Sequence, residues 1–408
     1  MKKGAIIIAT ILLTITLIAC KKKGCTNPLA TNYQSEAEKD DGSCVLAADL
    51  PAIEITEDIT VPTTFENKKY TICGDIKVTS ELTIMPGAII IMCANTSINV
   101  TVDGFIKAIG TADLPIVFKG KTESKGFWEG MAIKSTNPNN IFSYVTVKDA
   151  GTYWAWEEST VFLSGSLAMD HSTILNSNNV GLYVTNGASI SSFTNNTFGN
   201  CTTGLNLLPS QVKHLDGTSN FNNNNTNNFI YVRDGDITTD AVWKKLNTPL
   251  LHDGIRCQAG LTLQPGIILQ AESGQGIDVK SSGYLNCLGT VSDPIVFKGR
   301  YSSAGYWAGI KINSNNPNNK FKHVQIQDGG SYWAWEYVNI FILNGKLELD
   351  NTTVSISNSY GLFVSSSQVI TSGSVQTLSS GVLANNTFMN NGTGANANCT
   401  GDCSVFFE

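Results

Sequence analysis

The feature that most constrains this chain is a tandem duplication whose units are themselves assembled from short, closely spaced β-forming runs. FSYVTVKDAGTYWAWE at residues 142–157 returns as FKHVQIQDGGSYWAWE at residues 321–336, with nine of sixteen positions identical at an offset of 179. The two copies align without a gap from Leu82 to Glu157 and from Leu261 to Glu336. The match takes in LTIMPG/LTLQPG, PIVFKG in both copies, and GFWEGMAIKSTNPNN/GYWAGIKINSNNPNN. Past Glu157 the register slips by one, so GSLAMDHSTILNSNNVGLYV from Gly165 matches GKLELDNTTVSISNSYGLFV from Gly345. Within each copy, apolar β-branched triplets such as Ile116-Val117-Phe118 and Val145-Thr146-Val147 recur about every twenty residues, punctuated by Gly, Asn or Pro. That interval is shorter than the roughly thirty residues of a strand-helix-strand unit. It fits one coil of a parallel β-solenoid, in which each turn stacks on the last and buries its inward side chains in a continuous core. A pair of β-sandwiches is the competing architecture, but it demands antiparallel hairpins with two-residue turns, and few such turns are present.

The reading is therefore all-β: a solenoid in two tandem copies of about 180 residues, spanning residues 61–233 and 234–408. The second copy would end in a cap formed by CTGDCSVFFE, where Cys399 and Cys403 are near enough to bridge and Phe406 and Phe407 can cover apolar surface. At roughly fifteen coils of about 4.8 Å, the solenoid would run near 70 Å. A chain that is 42% apolar has ample material for such a core. Its net charge of −6, from 27 basic and 33 acidic residues, argues against nucleic acid as a partner.

Residues 1–19 carry a basic start (Lys2, Lys3), an apolar stretch and a small residue before a cysteine, the layout of a secretory signal. The ending Leu17-Ile18-Ala19-Cys20 resembles a bacterial lipobox. The resemblance implies cleavage before Cys20, acylation of its thiol and a membrane-anchored lipoprotein of the cell envelope. The outer membrane is the expected location, with the surface or periplasmic face left open. The apolar run is shorter than the ~20 residues a bilayer span needs, which argues against a plain transmembrane anchor.

Ten cysteines suit an oxidising compartment. Residues 20–60 comprise the lipidated cysteine, a cassette bracketed by Cys25 and Cys44, and a linker. The cassette resembles an acidic Cys-bracketed module found near the termini of bacterial secreted and surface proteins. A Cys25–Cys44 disulfide would close a loop too small to hold a core. Asp40 and Asp41 are weak candidates for calcium, without full EF-hand spacing, and no other cofactor is expected. Cys73 and Cys93, one coil apart, are either a disulfide or two core thiols.

The order LTIMPG, GTADLPIVFKG, WEGMAI and NNVGLYV, repeated twice, resembles the right-handed parallel β-helix repeats of bacterial surface proteins, distantly like pectin lyases in shape. The resemblance implies a right-handed coil. Lyase or hydrolase chemistry on that shape needs carboxylates arranged with calcium and an arginine, or aspartates with a histidine-bearing motif, and neither signature is present. None of His171, His214, His252 and His323 recurs between the copies. Three acids do recur, Asp149/Asp328, Glu157/Glu336 and Asp170/Asp350, and such acids usually serve as turn residues.

The better ligand-binding candidates are Tyr153, Trp154, Trp156 and Glu157 with their counterparts Tyr332, Trp333, Trp335 and Glu336. If the segment is extended, Trp154 and Trp156 project to one side next to Glu157, an arrangement suited to stacking on sugar rings. Packing of these rings over the core is the bland alternative. The expected function is a non-catalytic binding or adhesion scaffold for polysaccharide or an envelope protein. A β-helix lyase or glycoside hydrolase is the alternative, favoured by an exposed groove with three acids, or acids with an arginine. A structural spacer is the third reading.

Overall fold

The computed structural model describes residues 21–46, 49–152, 156–332, 334–343, 345–365, 386–392 and 397–399. Cys20, Tyr153, Trp154, Trp333 and the Cys399–Cys403 cap lie outside the described residues or their side chains. The chain divides into two compact units at Leu50/Pro51.

The first unit holds a short parallel ladder between Lys23–Gly24 and Lys39–Asp40. Cys25 and Cys44 form a disulfide with Cα atoms 4.8 Å apart. The oxygens considered for calcium are engaged in turns: Asp40 Oδ1 accepts from the N–H of Gly42, and Asp41 Oδ1 from that of Ser43. Hydrogen bonds from the side chain and N–H of Ser43 hold the Asp41 carboxyl below its ordinary value. Among the described residues no group of three His, Cys, Asp or Glu is placed to hold a metal.

The second unit is a parallel β-helix solenoid. Each full coil contributes three short strands, and all the strand pairings between coils are parallel. One face is continuous through both copies, thirteen described strands from Ile76–Val78 to Thr387–Met389. The other two faces are each built in two parts. Before the junction they comprise eight strands, Ile53–Ile55 to Asn220–Asn223, and six strands, Thr63–Phe65 to Ser189–Thr194. After it they comprise, among the described residues, seven strands, Gly235–Ile237 to Ala397–Cys399, and five strands, Ala241–Trp243 to Glu348–Asp350.

Strand residues alternate between core and surface because successive side chains point to opposite faces. In Ile116–Gly120 and Ile295–Gly299, the Ile and Phe enter the core while the Val faces outward. The recurrent sequence motifs have equally local causes. Trp128 and Trp307 are fully buried, and their indole N–H groups donate to the carbonyls of Lys148 (2.8 Å) and Gln327 (2.7 Å). Asn140 and Asn319, ending the two NPNN motifs, accept through Oδ1 from the N–H of Ile106 and Leu285 on the neighbouring coil, both at 3.0 Å. Their amides donate to the carbonyls of Ser135 and Ser314 at 2.9 Å, so buried backbone groups at the corner are satisfied. A Cys73–Cys93 disulfide joins adjacent coils, while Cys201, Cys257 and Cys287 are buried free thiols.

The two copies are out of phase by one face. Ile116–Gly120 lies in the eight-strand sheet, whereas its repeat Ile295–Gly299 lies in the continuous sheet. Likewise Gly130–Ile133 belongs to the continuous sheet, and its repeat Gly309–Ile312 to the seven-strand sheet. One repeat therefore spans seven coils and one further face. A 3-10 segment, Pro209–His214, packs between Ser189–Thr194 and Gly235–Ile237 where the six-strand face would have continued. Its Gln211 is buried and satisfied on both sides, donating to the carbonyls of Thr185 and Ala188 and accepting from Leu208 N–H.

Candidate functional site

In their described parts, the two aromatic-acid stretches turn rather than run extended as the sequence reading requires. Trp156, Glu157 and Glu158 have φ of 37°, 57° and 54°, and Trp335, Glu336 and Tyr337 have 36°, 56° and 61°. Three consecutive left-handed residues without a glycine make a tight turn that L-residues adopt at a cost. Gly151 (φ 84°) and Gly330 (φ 88°) allow the last residue of each turn to approach the chain closely. A Cβ on either glycine would collide with the carbonyl of Glu158 or Tyr337. In the first copy Ser159 Oγ locks the turn by donating to the carbonyl of Trp156 at 2.6 Å. The expected shared face of the tryptophans is thus overturned for Trp156, which lies in this turn. Trp156 and Trp335 are each half-buried, Glu157 and Glu336 are exposed, and Tyr332 is 69% exposed.

The copies also differ from one another. Trp335 packs against Val338, Phe341 and Phe363, its indole lying over Gly276, where a Cβ would clash, with Lys311 Nζ 6.0 Å from the ring centroid. The position matching Gly276 in the first copy is Ser97. Because of the one-face phase difference, the two turns project from different corners of the coil, about seven coils apart. They are therefore not two equivalent patches in line.

A different feature gathers functional side chains. On the continuous face, Phe162, Tyr183, Asn206 and Tyr231 occupy one outward column in register on successive coils. The Phe162 and Tyr183 rings stack with centroids 5.8 Å apart. Arg233 lies 4.1 Å over the Tyr183 ring and donates to the carbonyl of Val184. Arg256 pairs with both Asp234 and Asp236. Together with Asp253 and Glu157, these residues other than Asn206 line a groove of about 910 Å³. Among the described residues, Glu157 is the one sequence-predicted site residue that the fold brings into it.

Along the adjoining corner, Arg233, Asp253, Glu272 and Arg300 follow one another on consecutive coils. Arg300 Nη1 donates to Glu272 at 2.7 Å, and the Tyr306 hydroxyl reaches the same carboxylate at 3.4 Å. Burial, more than its neighbours Asp234 and Glu272, raises the pKa of Asp253, against the hydrogen bond it shares with Tyr231. Burial and the nearby Asp253 and Glu272 push the Tyr231 hydroxyl up to about 12.

Two of the three recurring acid pairs serve the fold. Asp149 and Asp328 are buried at φ 70°, accepting from Asn176 Nδ2 (2.6 Å) and Ser302 Oγ (3.1 Å) respectively. Asp170 accepts from Ser143 Oγ at 2.8 Å, and Asp350 pairs with Lys322 at 3.5 Å. The groove residues Tyr231, Arg233, Asp234, Asp236, Asp253 and Arg256 were missed because they sit at the junction, where no repeat marks them. The available signal was the outward alternation of Phe162 in STVFL and Tyr183 in VGLYV. No family model, no curated protein and no solved structure matches this chain.

Proposed function

We propose that the protein is a lipid-anchored component of the cell envelope whose solenoid binds glycan in the groove on its continuous face. The anchor rests on the lipobox-like Leu17-Ile18-Ala19-Cys20. The glycan reading rests on one observation: a column of outward aromatic rings bordered by carboxylates and arginines in a single concave surface. Ring faces suit the apolar C–H faces of sugars, and charged side chains make strong hydrogen bonds to hydroxyls. Retention on a polysaccharide array tests it, comparing the parent with a Phe162→Ala, Tyr183→Ala double variant. Equal retention of the two, or none by the parent, would sink the reading. Cys20→Ala should move the protein out of the membrane fraction, and unchanged fractionation would remove the anchor.

A second reading, cleavage of the bound glycan in a β-helix of pectin-lyase-like shape, is favoured by the groove's acids and arginines. Asp253, with its raised pKa, is the residue suited to donate a proton to a leaving oxygen. Against it, Arg256 is committed to Asp234 and Asp236, and Arg233 to Tyr183 and Val184. Release of new sugar ends by the parent, abolished by Asp253→Asn with binding intact, would establish cleavage.

A further inference from the structure

The charge balance of the groove narrows its ligand. Among the described residues, Glu157, Asp234, Asp236 and Asp253 face it with only two cations, Arg233 and Arg256. Neither cation is spare. Arg256 is spanned by Asp234 and Asp236, and Arg233 covers the Tyr183 ring while donating to a backbone carbonyl. Glu272, beside Asp253 on the next coil, is held by Arg300. The groove therefore presents an excess of carboxylate in a concave, partly desolvated setting, where like charges repel and opposite charges attract more strongly than in open water.

We propose that the ligand is a polymer of amino sugars carrying free ammonium groups, an inference that rests on the glycan reading above. An ammonium offers three N–H donors to carboxylates that the protein's own cations leave underused. A polyuronate would set a carboxylate per residue against the same acids. A neutral glycan would gain hydrogen bonds from its hydroxyls to the carboxylates but no attraction of opposite charge. The coil spacing of about 4.8 Å is close to the advance of one pyranose along an extended chain, so successive sugars meet successive coils.

The test is calorimetric titration of the full chain with three probes: glucosamine oligomers, their N-acetylated counterparts and oligogalacturonate, at low and high ionic strength. Glucosamine oligomers should bind about tenfold tighter than the N-acetylated ones at low salt, with the advantage shrinking as salt screens the carboxylates. Glu157→Gln, an exposed change with little effect on folding, should lower glucosamine affinity roughly threefold and affinity for the N-acetylated oligomer by clearly less. Asp234→Asn with Asp236→Asn should lower it further. Equal affinity for charged and neutral oligomers, or preference for oligogalacturonate, overturns the amino-sugar inference and leaves glycan binding standing. Binding of no sugar overturns both.

Discussion

The imidazole of His252 meets the indole of Trp307 edge to face inside the solenoid, ring centroids 6.2 Å apart and planes at 82°. Its Nδ1 accepts from the N–H of Gly254 at 3.3 Å, a bond that requires that nitrogen to be unprotonated. Burial lowers the pKa of His252 from its ordinary 6.5 to about 3. Between those values the unfolded chain takes up a proton that the folded chain refuses. Stability is therefore fully present above about pH 6.5 and is lost as pH falls toward 3, by at most about 1.4 kcal/mol per pH unit. His214, also lowered by burial, acts in the same direction. Denaturant melts between pH 4 and 7 should show this slope, and His252→Leu should flatten it. An unchanged slope in the variant would refute the assignment.

Gly330→Ala should destabilise the second aromatic turn. The residue stands at φ 88°, and a Cβ there meets the carbonyl of Tyr337. The expected cost is about 1–3 kcal/mol. Gly151→Ala should behave alike in the first copy, where the obstacle is the carbonyl of Glu158. Amide exchange around residues 335–338 or 156–159 reads the change locally, and unaltered protection would contradict the account.

The Cys73–Cys93 disulfide encloses a loop of about twenty residues, which corresponds to roughly 3 kcal/mol of constraint on the unfolded chain. Coils of a solenoid are stabilised mainly by their neighbours. Replacing both cysteines by serine should therefore speed amide exchange in Lys69–Ile72 and Ile89–Met92 while leaving coils beyond the junction unchanged. Uniform loss of protection along the chain would show longer-range cooperativity than this.

Trp128→Phe removes the donor to the Lys148 carbonyl and opens space in the core. The unpaired buried carbonyl costs about 1–3 kcal/mol, with a further cavity contribution. Trp307→Phe should match it, since the Gln327 carbonyl is served the same way. A clear drop in melting temperature for one and none for the other would mean that the two indoles do not play the same role.

The coil was legible because its determinants are local. Ile116–Gly120 and Ile295–Gly299 alternate core and surface positions, and Trp128, Trp307, Asn140 and Asn319 recur because each completes the same corner. The conformation at Trp156–Glu158 was not legible. Left-handed backbone is ordinarily announced by Gly or Asn, and here it falls on Trp and Glu. The groove was hidden for a different reason. Tyr183 and Asp253 are seventy positions apart, and their approach depends on how many strands the junction inserts, which composition and repeat pattern do not encode.

Pro209–His214 stands in for a strand on one side of the coil and keeps the stacking intact across the junction. Because one repeat is seven coils and a further face long, each part of the second copy takes a different compass bearing from its counterpart. Two segments with the same ancestry thereby came to look out in different directions, and each was free to diverge in its surroundings. One borders an open groove, and the other folds Trp335 down against the wall. In such an architecture, lengthening or trimming a corner by one strand redirects half the molecule without having to rebuild its interior.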